Sequence, residues 1–477
     1  MNAFDWSAEF EEAMAAGGFD AVIGNPPYIR IQALQEWAPL EVEHYKTAYR
    51  AASKGNYDIY VVFVEKGLQL LNERGRLGYI LPHKFFNAQY GEPLRKVLSQ
   101  GQHLSKVVHF GDQQVFEGAT TYTCLLFLEK GGRDEFQFVR AHDLSAWRVG
   151  ASQVEGVIPA ASAGLTEWNF VVGCGSDLFE RLRAMPVKLG DVAHIFVGTQ
   201  TSADDIFVLD AVRAEGVFVI GTCAVNGQEV KVEAAITKPF LRGKQIRRYE
   251  PLLATAALIC PYAIDNVKAE LFPERELASR FPLAYAYLKI HRSQLEARER
   301  GKFKGSDWYA FGYPKSMILF QLPKLVVPDY NNRASCAYDA AGHFYKTGYG
   351  ILAKTGRHES PLYILGLLNS MVLFQYLLKI GTTLRGGFVR FWTQYIKQLP
   401  IRTIDFANPA DVAGHDRMVA LVTQMLDLHK RLAAEGAPPE KAALQRRIEM
   451  TDRQIDVLVY ELYGLTAEEI AVVEGAG

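Results

Sequence analysis

The sequence predicts an α/β domain, then a second α/β region, then a helical hairpin, and three observations carry that prediction. Short apolar runs alternate with helical patterns up to about residue 135. Further strand-like runs are scattered between about 166 and 410. Beyond about 411 the chain is almost continuously helical. Strands alternating with helices argue for a doubly wound sheet.

Phe19 to Ile23 reads as a buried strand running into Gly24-Asn25-Pro26-Pro27. Tyr57 to Leu71 has helical periodicity and stops near Gly75, and Leu77 to Leu81 is a strand closed by Pro82. Val107 to Phe110 and Thr121 to Leu128 supply further strands. Residues 136–165 are richer in Ala, Ser and Gly and read as a connector. Strands are expected again at Ile195 to Val197, Ala257 to Cys260, Met317 to Phe320 and Leu325 to Val327. Met418, Leu421, Val422, Met425 and Leu426 share one helix face. Leu444, Ile448, Ile455, Leu458, Val459 and Leu462 share another, with Gly436-Ala-Pro-Pro439 between them, which is an αα-hairpin. The expected division is therefore 1–135, a connector at 136–165, 166–410 and 411–477.

At 477 residues, 49% hydrophobic and 22% charged, the chain has the composition of a soluble globular protein of two or three domains. Its five cysteines include no CxxC pair, so reduced buried thiols are expected and a metal site is not. No apolar run reaches the roughly 20 residues of a membrane span, and the acidic start does not read as a secretory signal. A cytoplasmic protein without a membrane partner is expected. The formal net charge of −1 hides two basic stretches without a carboxylate. Lys238 to Arg248 holds Lys244, Arg247 and Arg248, and Met371 to Arg402 holds Arg385, Arg390 and Lys397. Such stretches are either solvated surface or one positive face for nucleic acid.

The residues that carry chemistry are Asn25, Pro26, Pro27 and Tyr28. The exocyclic amine of adenine is a poor nucleophile because its lone pair is delocalised into the ring. Two acceptors on its two hydrogens favour a tetrahedral nitrogen, and the Asn25 amide oxygen and Pro26 carbonyl are a matching pair. Consecutive prolines hold those carbonyls rigidly. Tyr28 is placed to stack on a base taken out of the helix. The alternative is a Pro-Pro turn that merely caps a strand. Against it, carboxyl ends of strands in α/β sheets are where ligands bind.

Gly18 to Ile29 resembles motif IV of the gamma-group N6-adenine DNA methyltransferases, especially the large type IIG restriction–modification proteins. The similarity continues through Asn56 to Tyr60, Gly75 to Phe85 and Val115 to Tyr122. The last stretch resembles motif VIII, in which Phe116 matches an aromatic residue that packs on the flipped base. The second half resembles a TaqI-like specificity domain at Leu189 to Ala193, Val197 to Thr201, Lys238 to Lys244, Lys324 to Asn331, Leu365 to Ser370 and Arg385 to Tyr395. The resemblance implies a partial Rossmann-like methyltransferase sheet, S-adenosylmethionine as cofactor and double-stranded DNA as partner. It implies methyl transfer to adenine N6 within a restriction–modification system. Asp58 is the candidate at the cofactor, and Lys244, Arg247, Arg248, Arg385, Arg390, Trp392 and Lys397 are the candidates at DNA, where basic and aromatic groups interleave.

The family's cofactor loop normally precedes motif IV, and the residues before Phe19 contain no such strand and glycine loop. Phe19 to Ile23 is then an exposed parallel edge. A fragment, a mis-set start or a split enzyme is expected, with a further N-terminal segment or partner subunit carrying the loop. Gly173-Cys174-Gly175 is a weak rescue. A rival reading is a DNA-binding specificity module, or a split-enzyme subunit, without activity of its own. Methyltransferases acting on release-factor glutamine or RNA guanine share Asn-Pro-Pro-Tyr but lack a large basic second half. A cytosine-C5 enzyme would need a Pro-Cys pair, and only the reversed Cys260-Pro261 occurs.

Overall fold

The computed structural model describes residues 4–116, 121–141, 143–151, 153–173, 175–384 and 386–475, among which the side chain of Thr383 is left aside. The chain divides into two compact units, Met1–Phe179 and Glu180–Gly477.

The first unit is built on six strands: β1 (Phe19–Gly24), β2 (Leu71–Pro82), β3 (Leu104–His109), β4 (Thr123–Glu129), β5 (Glu135–Ala141) and β6 (Gln153–Pro159). Their order is β1-β2-β4-β3-β5-β6. The β1–β2 and β3–β5 pairs are parallel, whereas β2–β4, β3–β4 and β5–β6 are antiparallel. The sheet is thus mixed, where alternation alone predicts a purely parallel one. The helix Tyr60–Leu70 makes the β1–β2 crossover and buries Tyr60, Val61, Val64 and Leu68. Gly67 lets it approach: a Cβ there would meet Leu77 Cδ1 at 2.4 Å. Glu65 is buried on this helix because it accepts backbone N–H groups from Arg50 at 3.1 Å and Ala51 at 2.7 Å.

The expected connector at 136–165 is corrected. It contains β5 and β6, with Phe136, Phe138 and Ile158 in the core of the same sheet. The small residues around them mask a clear period-two alternation, Phe136 and Phe138 facing one side. Trp168 and Phe170 pack on Phe86, so the unit closes only at Phe179. The segment Phe170 to Val172 has no strand pairing, so Gly173 does not follow a strand; Cys174 lies outside the described residues.

The second unit carries β7 (Ala193–Val197), β8 (Val208–Glu215), β9 (Phe218–Cys223), β10 (Glu229–Glu233), β11 (Thr237–Leu241) and β12 (Ala256–Ile259). After the hairpin β13 (Tyr262–Ile264) and β14 (Ala269–Leu271) come β15 (Lys324–Val327), β16 (Tyr330–Asn331), β17 (Ala337–Asp339), β18 (Phe344–Tyr345) and β19 (Tyr349–Ala353). The last are β20 (Thr383–Leu384) and β21 (Phe388–Arg390). One sheet runs β10-β9-β8-β12-β11-β18, a second β17-β15-β19-β7 and a third β16-β21-β20. Between β18 and β19 the chain passes from the first sheet to the second. Met317–Phe320 is a helical turn, not the expected strand: it follows a left-handed Ser316 (φ 59°), and Met317 and Phe320 are buried at helical spacing.

The expected αα-hairpin is present as Pro409–Ala434 and Pro438–Tyr463, and it belongs to the second unit. Met418, Val422, Met425 and Leu428 of one arm and Leu444, Ile455, Leu458 and Val459 of the other are buried. The first arm also packs on the helix Pro361–Leu368, where Gly366 leaves room for Met418. No single helix among the described residues is long and apolar enough to cross a membrane. Cys124, Cys223, Cys260 and Cys336 are buried free thiols.

Because a Cβ at Gly366 would lie 2.4 Å from Met418 Sδ, Gly366→Leu must push the two helices apart. The expected cost is about 2 kcal/mol, read as a lowered thermal midpoint. An unchanged midpoint would show that the helices are not held at this spacing.

Candidate catalytic turn and nucleic-acid interface

The parallel pairing of β1 on β2 determines where the Asn25–Tyr28 turn sits. Gly24 pairs with Tyr79, Leu81 with Cys124, and Cys124 with His109, so β1, β2 and β3 all end at one edge of the sheet. That edge carries the Asn25–Tyr28 segment, Pro82 to Phe86 and residues 110–116. Two backbone hydrogen bonds pin the turn from behind: Ile59 N donates to Ile29 O at 2.9 Å and Ile31 N to Tyr57 O at 2.9 Å. Asn25 is exposed, Pro26 is buried, and Pro27 and Tyr28 are half-buried. The Asn25 amide has no hydrogen-bond partner among the described residues. Tyr28 Oη donates to Ile80 O at 3.1 Å, and burial raises its pKa to about 12, so it remains a phenol.

Phe116 lies half-buried in the irregular segment that follows β3, and makes no ring contact with Tyr28 among the described residues. Asp58 bridges to Arg30 through the backbone, and its carboxylate accepts from Tyr90 Oη at 3.5 Å. Burial raises its pKa against the opposing pull of Lys84 and Arg30.

Two histidines that sequence patterning does not single out hold the start of the segment leading to Phe116. His83 and His109 pack ring to ring, 4.1 Å between centroids. Gly111 N donates to His109 Nδ1 at 3.0 Å, and His83 Nε2 donates to Gly111 O at 3.1 Å. These bonds assign both rings as neutral Nε2–H tautomers. Desolvation, with the nearby Arg140 cation, holds His83 at about 4 and His109 well below its usual value. Only their three-dimensional meeting marks them; they are 26 residues apart in sequence.

The DNA candidates separate into distinct places within the second unit. The turn Gly243–Gln245 exposes Lys244, and Gly243 backs on Thr347, whose Oγ1 a Cβ would meet at 2.7 Å. Arg247 is exposed, its Nε donating to Lys244 O and Glu250 lying 3.8 Å from it. Arg390 donates to Asp329 Oδ2 at 2.7 Å and lies 4.9 Å over the Trp392 ring, which stacks on Tyr395. Lys397 is exposed beside Gly190, near the β7 end opposite Val197. Arg385 lies outside the described residues.

Arg248 is a correction. Its guanidinium turns inward, forming an ion pair with Asp452 Oδ2 and donating to Asn369 O at 2.6 Å, which commits it to the packing of the helical hairpin. Asn369 in turn is locked to the Cys336 backbone, accepting at 2.8 Å and donating at 2.9 Å. Sequence reasoning placed Arg248 with its neighbours because a basic run carries no sign of which side chain faces inward.

Residues 1–116 match the Eco57I restriction-modification methylase family, and residues 238–401 match the TaqI-like C-terminal specificity domain. The two matched stretches are separate, the first within the first unit and the second within the second. It is similar to the type II restriction enzyme and methyltransferase RM.Eco57I of Escherichia coli, 28% identical over 467 residues, covering 94% of this chain and 46% of that protein. It is also similar to the type II methyltransferase M.PaeR7I of Pseudomonas aeruginosa, 25% identical, covering 98% of this chain and 74% of that one. The chain thus spans about half the length of the first of these relatives and about three quarters of the second. Its fold matches that of the type IIL restriction-modification enzyme MmeI, solved in complex with DNA, with a TM-score of 0.60 at 12% identity, covering 100% of this chain and 59% of that one.

Two outcomes follow. The folded chain holds His83 and His109 neutral, whereas the unfolded chain protonates its histidines near pH 6.5. Stability is then complete above pH 6.5 and is lost as pH falls towards about 4, by on the order of 2 kcal/mol. Thermal midpoints of the chain and of His83→Phe check this, the variant showing the flatter profile; identical profiles would refute it. Arg248→Ala leaves Asp452 unpaired and should cost about 3 kcal/mol of stability. A variant with native stability and weakened DNA binding would return Arg248 to the surface.

Proposed function

We propose that this chain is the base-binding and DNA-reading portion of an N6-adenine DNA methyltransferase. It acts on double-stranded DNA in a restriction–modification system, with S-adenosylmethionine as methyl donor. The observation that supports this most directly is the Asn25–Tyr28 segment: an exposed amide with no hydrogen-bond partner among the described residues, beside a buried proline, at the edge where β1, β2 and β3 end.

On this reading the Asn25 Oδ1 and Pro26 carbonyl accept the two N6 hydrogens, and the nitrogen lone pair is freed from the ring. The turn is pinned by its backbone before substrate arrives, so little reorganisation is needed. Tyr28, fixed through its hydroxyl, offers a ring to a base swung out of the duplex, with Phe116 as a second surface. The cofactor, when bound, supplies an electrophilic methyl group. Asp58 alone is no donor set for a nucleoside, and its carboxylate is already engaged with Tyr90. The remaining contacts are assigned to a further segment or partner subunit that pairs with the open edge of β1, where Ile23 is 86% exposed. That same open edge favours the second reading, a specificity module or split-enzyme subunit without activity of its own.

Asn25→Ala, in an assembly that methylates duplex DNA, should lower the methylation rate by roughly 10²-fold or more while DNA affinity stays within about twofold. The reason is that an interaction made in the transition state is lost and phosphate contacts are not. Single-turnover methylation and a binding titration read the two quantities. Unimpaired turnover in Asn25→Ala would overturn the assignment.

A further inference from the structure

The structure forms a cleft of about 360 Å³ in the second unit, between the turn that follows β7 and the turn between β18 and β19. Gln200, Asp204, Asp329, Lys346 and Thr347 line it. Gln200 and Asp204 lie outside the stretch that matches the specificity-domain family, so nothing in that match assigns them.

Three properties distinguish this cleft from ordinary surface. The first is rigidity. Thr199 N donates to Tyr345 O at 2.8 Å, and a Cβ on Gly198 would lie 2.1 Å from Lys346 O, so the two turns are seated backbone on backbone. Thr201 Oγ1 donates to Asp204 Oδ1 at 2.5 Å, and the left-handed Ser202 (φ 60°) donates through its hydroxyl to Glu299 at 2.9 Å. The second is charge. Lys346, which lines the cleft, is paired with Asp204, and Arg390 is paired with Asp329 of the lining, so these two cations each carry a carboxylate. A phosphate would meet those carboxylates, whereas base edges offer both donors and acceptors to such a mixture. The third is Gln200. Its backbone carbonyl accepts from Tyr313 N at 3.0 Å, while its exposed side-chain amide has no partner among the described residues. A free carboxamide on a fixed backbone matches the N6/N7 pair of adenine in the major groove.

The geometry points to this cleft as the base-reading part of the specificity domain, with Gln200 reading an A·T pair and the paired Lys346 and Arg390 reading its neighbours. Lys244, exposed in the turn whose Gly243 backs on Thr347 and without a carboxylate partner among the described residues, holds a phosphate instead. This rests on the reading of the second unit as a DNA specificity domain.

Enrichment of the full chain on a duplex library with a randomised core tests it. The unaltered chain is expected to enrich a defined motif. Gln200→Ala should lose roughly tenfold or more of the preference for A·T at one position, leaving the other positions and the salt dependence intact. Lys244→Gln should enrich the same motif with weaker affinity for every sequence and a salt slope reduced by about 1. If Gln200→Ala and Lys346→Ala both enrich the unaltered motif, or weaken all sequences equally, the cleft does not read bases and the inference is overturned. If the unaltered chain binds DNA without enriching any motif, both this inference and the specificity reading beneath it fail.

Discussion

The parallel pairing of β1 with β2 is the constraint on which the first unit depends. A parallel neighbour requires a crossover, which the helix Tyr60–Leu70 supplies, and Gly67 sets how closely that helix can lie. The register then brings the ends of β1, β2 and β3 level. Without it the Asn25 turn, the His83 segment and the Phe116 loop would have no common edge. Two backbone hydrogen bonds at Ile29 and Ile31, and that of the Tyr28 hydroxyl to Ile80 O, complete the arrangement.

Much of this was legible in the sequence where a residue type has one structural meaning. Asn25-Pro26-Pro27 after an apolar run reads as the stop of a strand, and β1 ends at Gly24, just before it. Pro409 and Pro438 open two long helices that the apolar spacing also predicts. Legibility failed where meaning depends on a distant partner. Small residues hid β5 and β6, although Phe136 and Phe138 alternate correctly. Met317–Phe320 is apolar enough for a strand, and its length cannot separate strand from helical turn. Arg248 looked like Arg247 until Asp452 and Asn369 appeared beside it. His83 and His109 gained significance only when the sheet register placed them ring to ring.

The second unit separates its cations by the company they keep. Lys346 and Arg390 are held by Asp204 and Asp329, which fixes their direction and removes their net charge. Lys244 and Lys397 project from backbone-held turns into solvent. Paired cations provide geometry, and free ones provide long-range attraction that salt screens. A net charge of −1 for the whole chain is therefore compatible with local fields of quite different character.

The Arg248–Asp452 pair closes across 204 residues of chain. Translation proceeds at roughly 5–20 residues per second, so Asp452 emerges about 10–40 s after Arg248. Throughout that interval Arg248 is without the carboxylate that it pairs with in the folded second unit. Sheet packing around Asn369 and Cys336 cannot settle in its final form until the helical hairpin arrives. The order of synthesis thus makes the second arm of the hairpin the piece that neutralises Arg248.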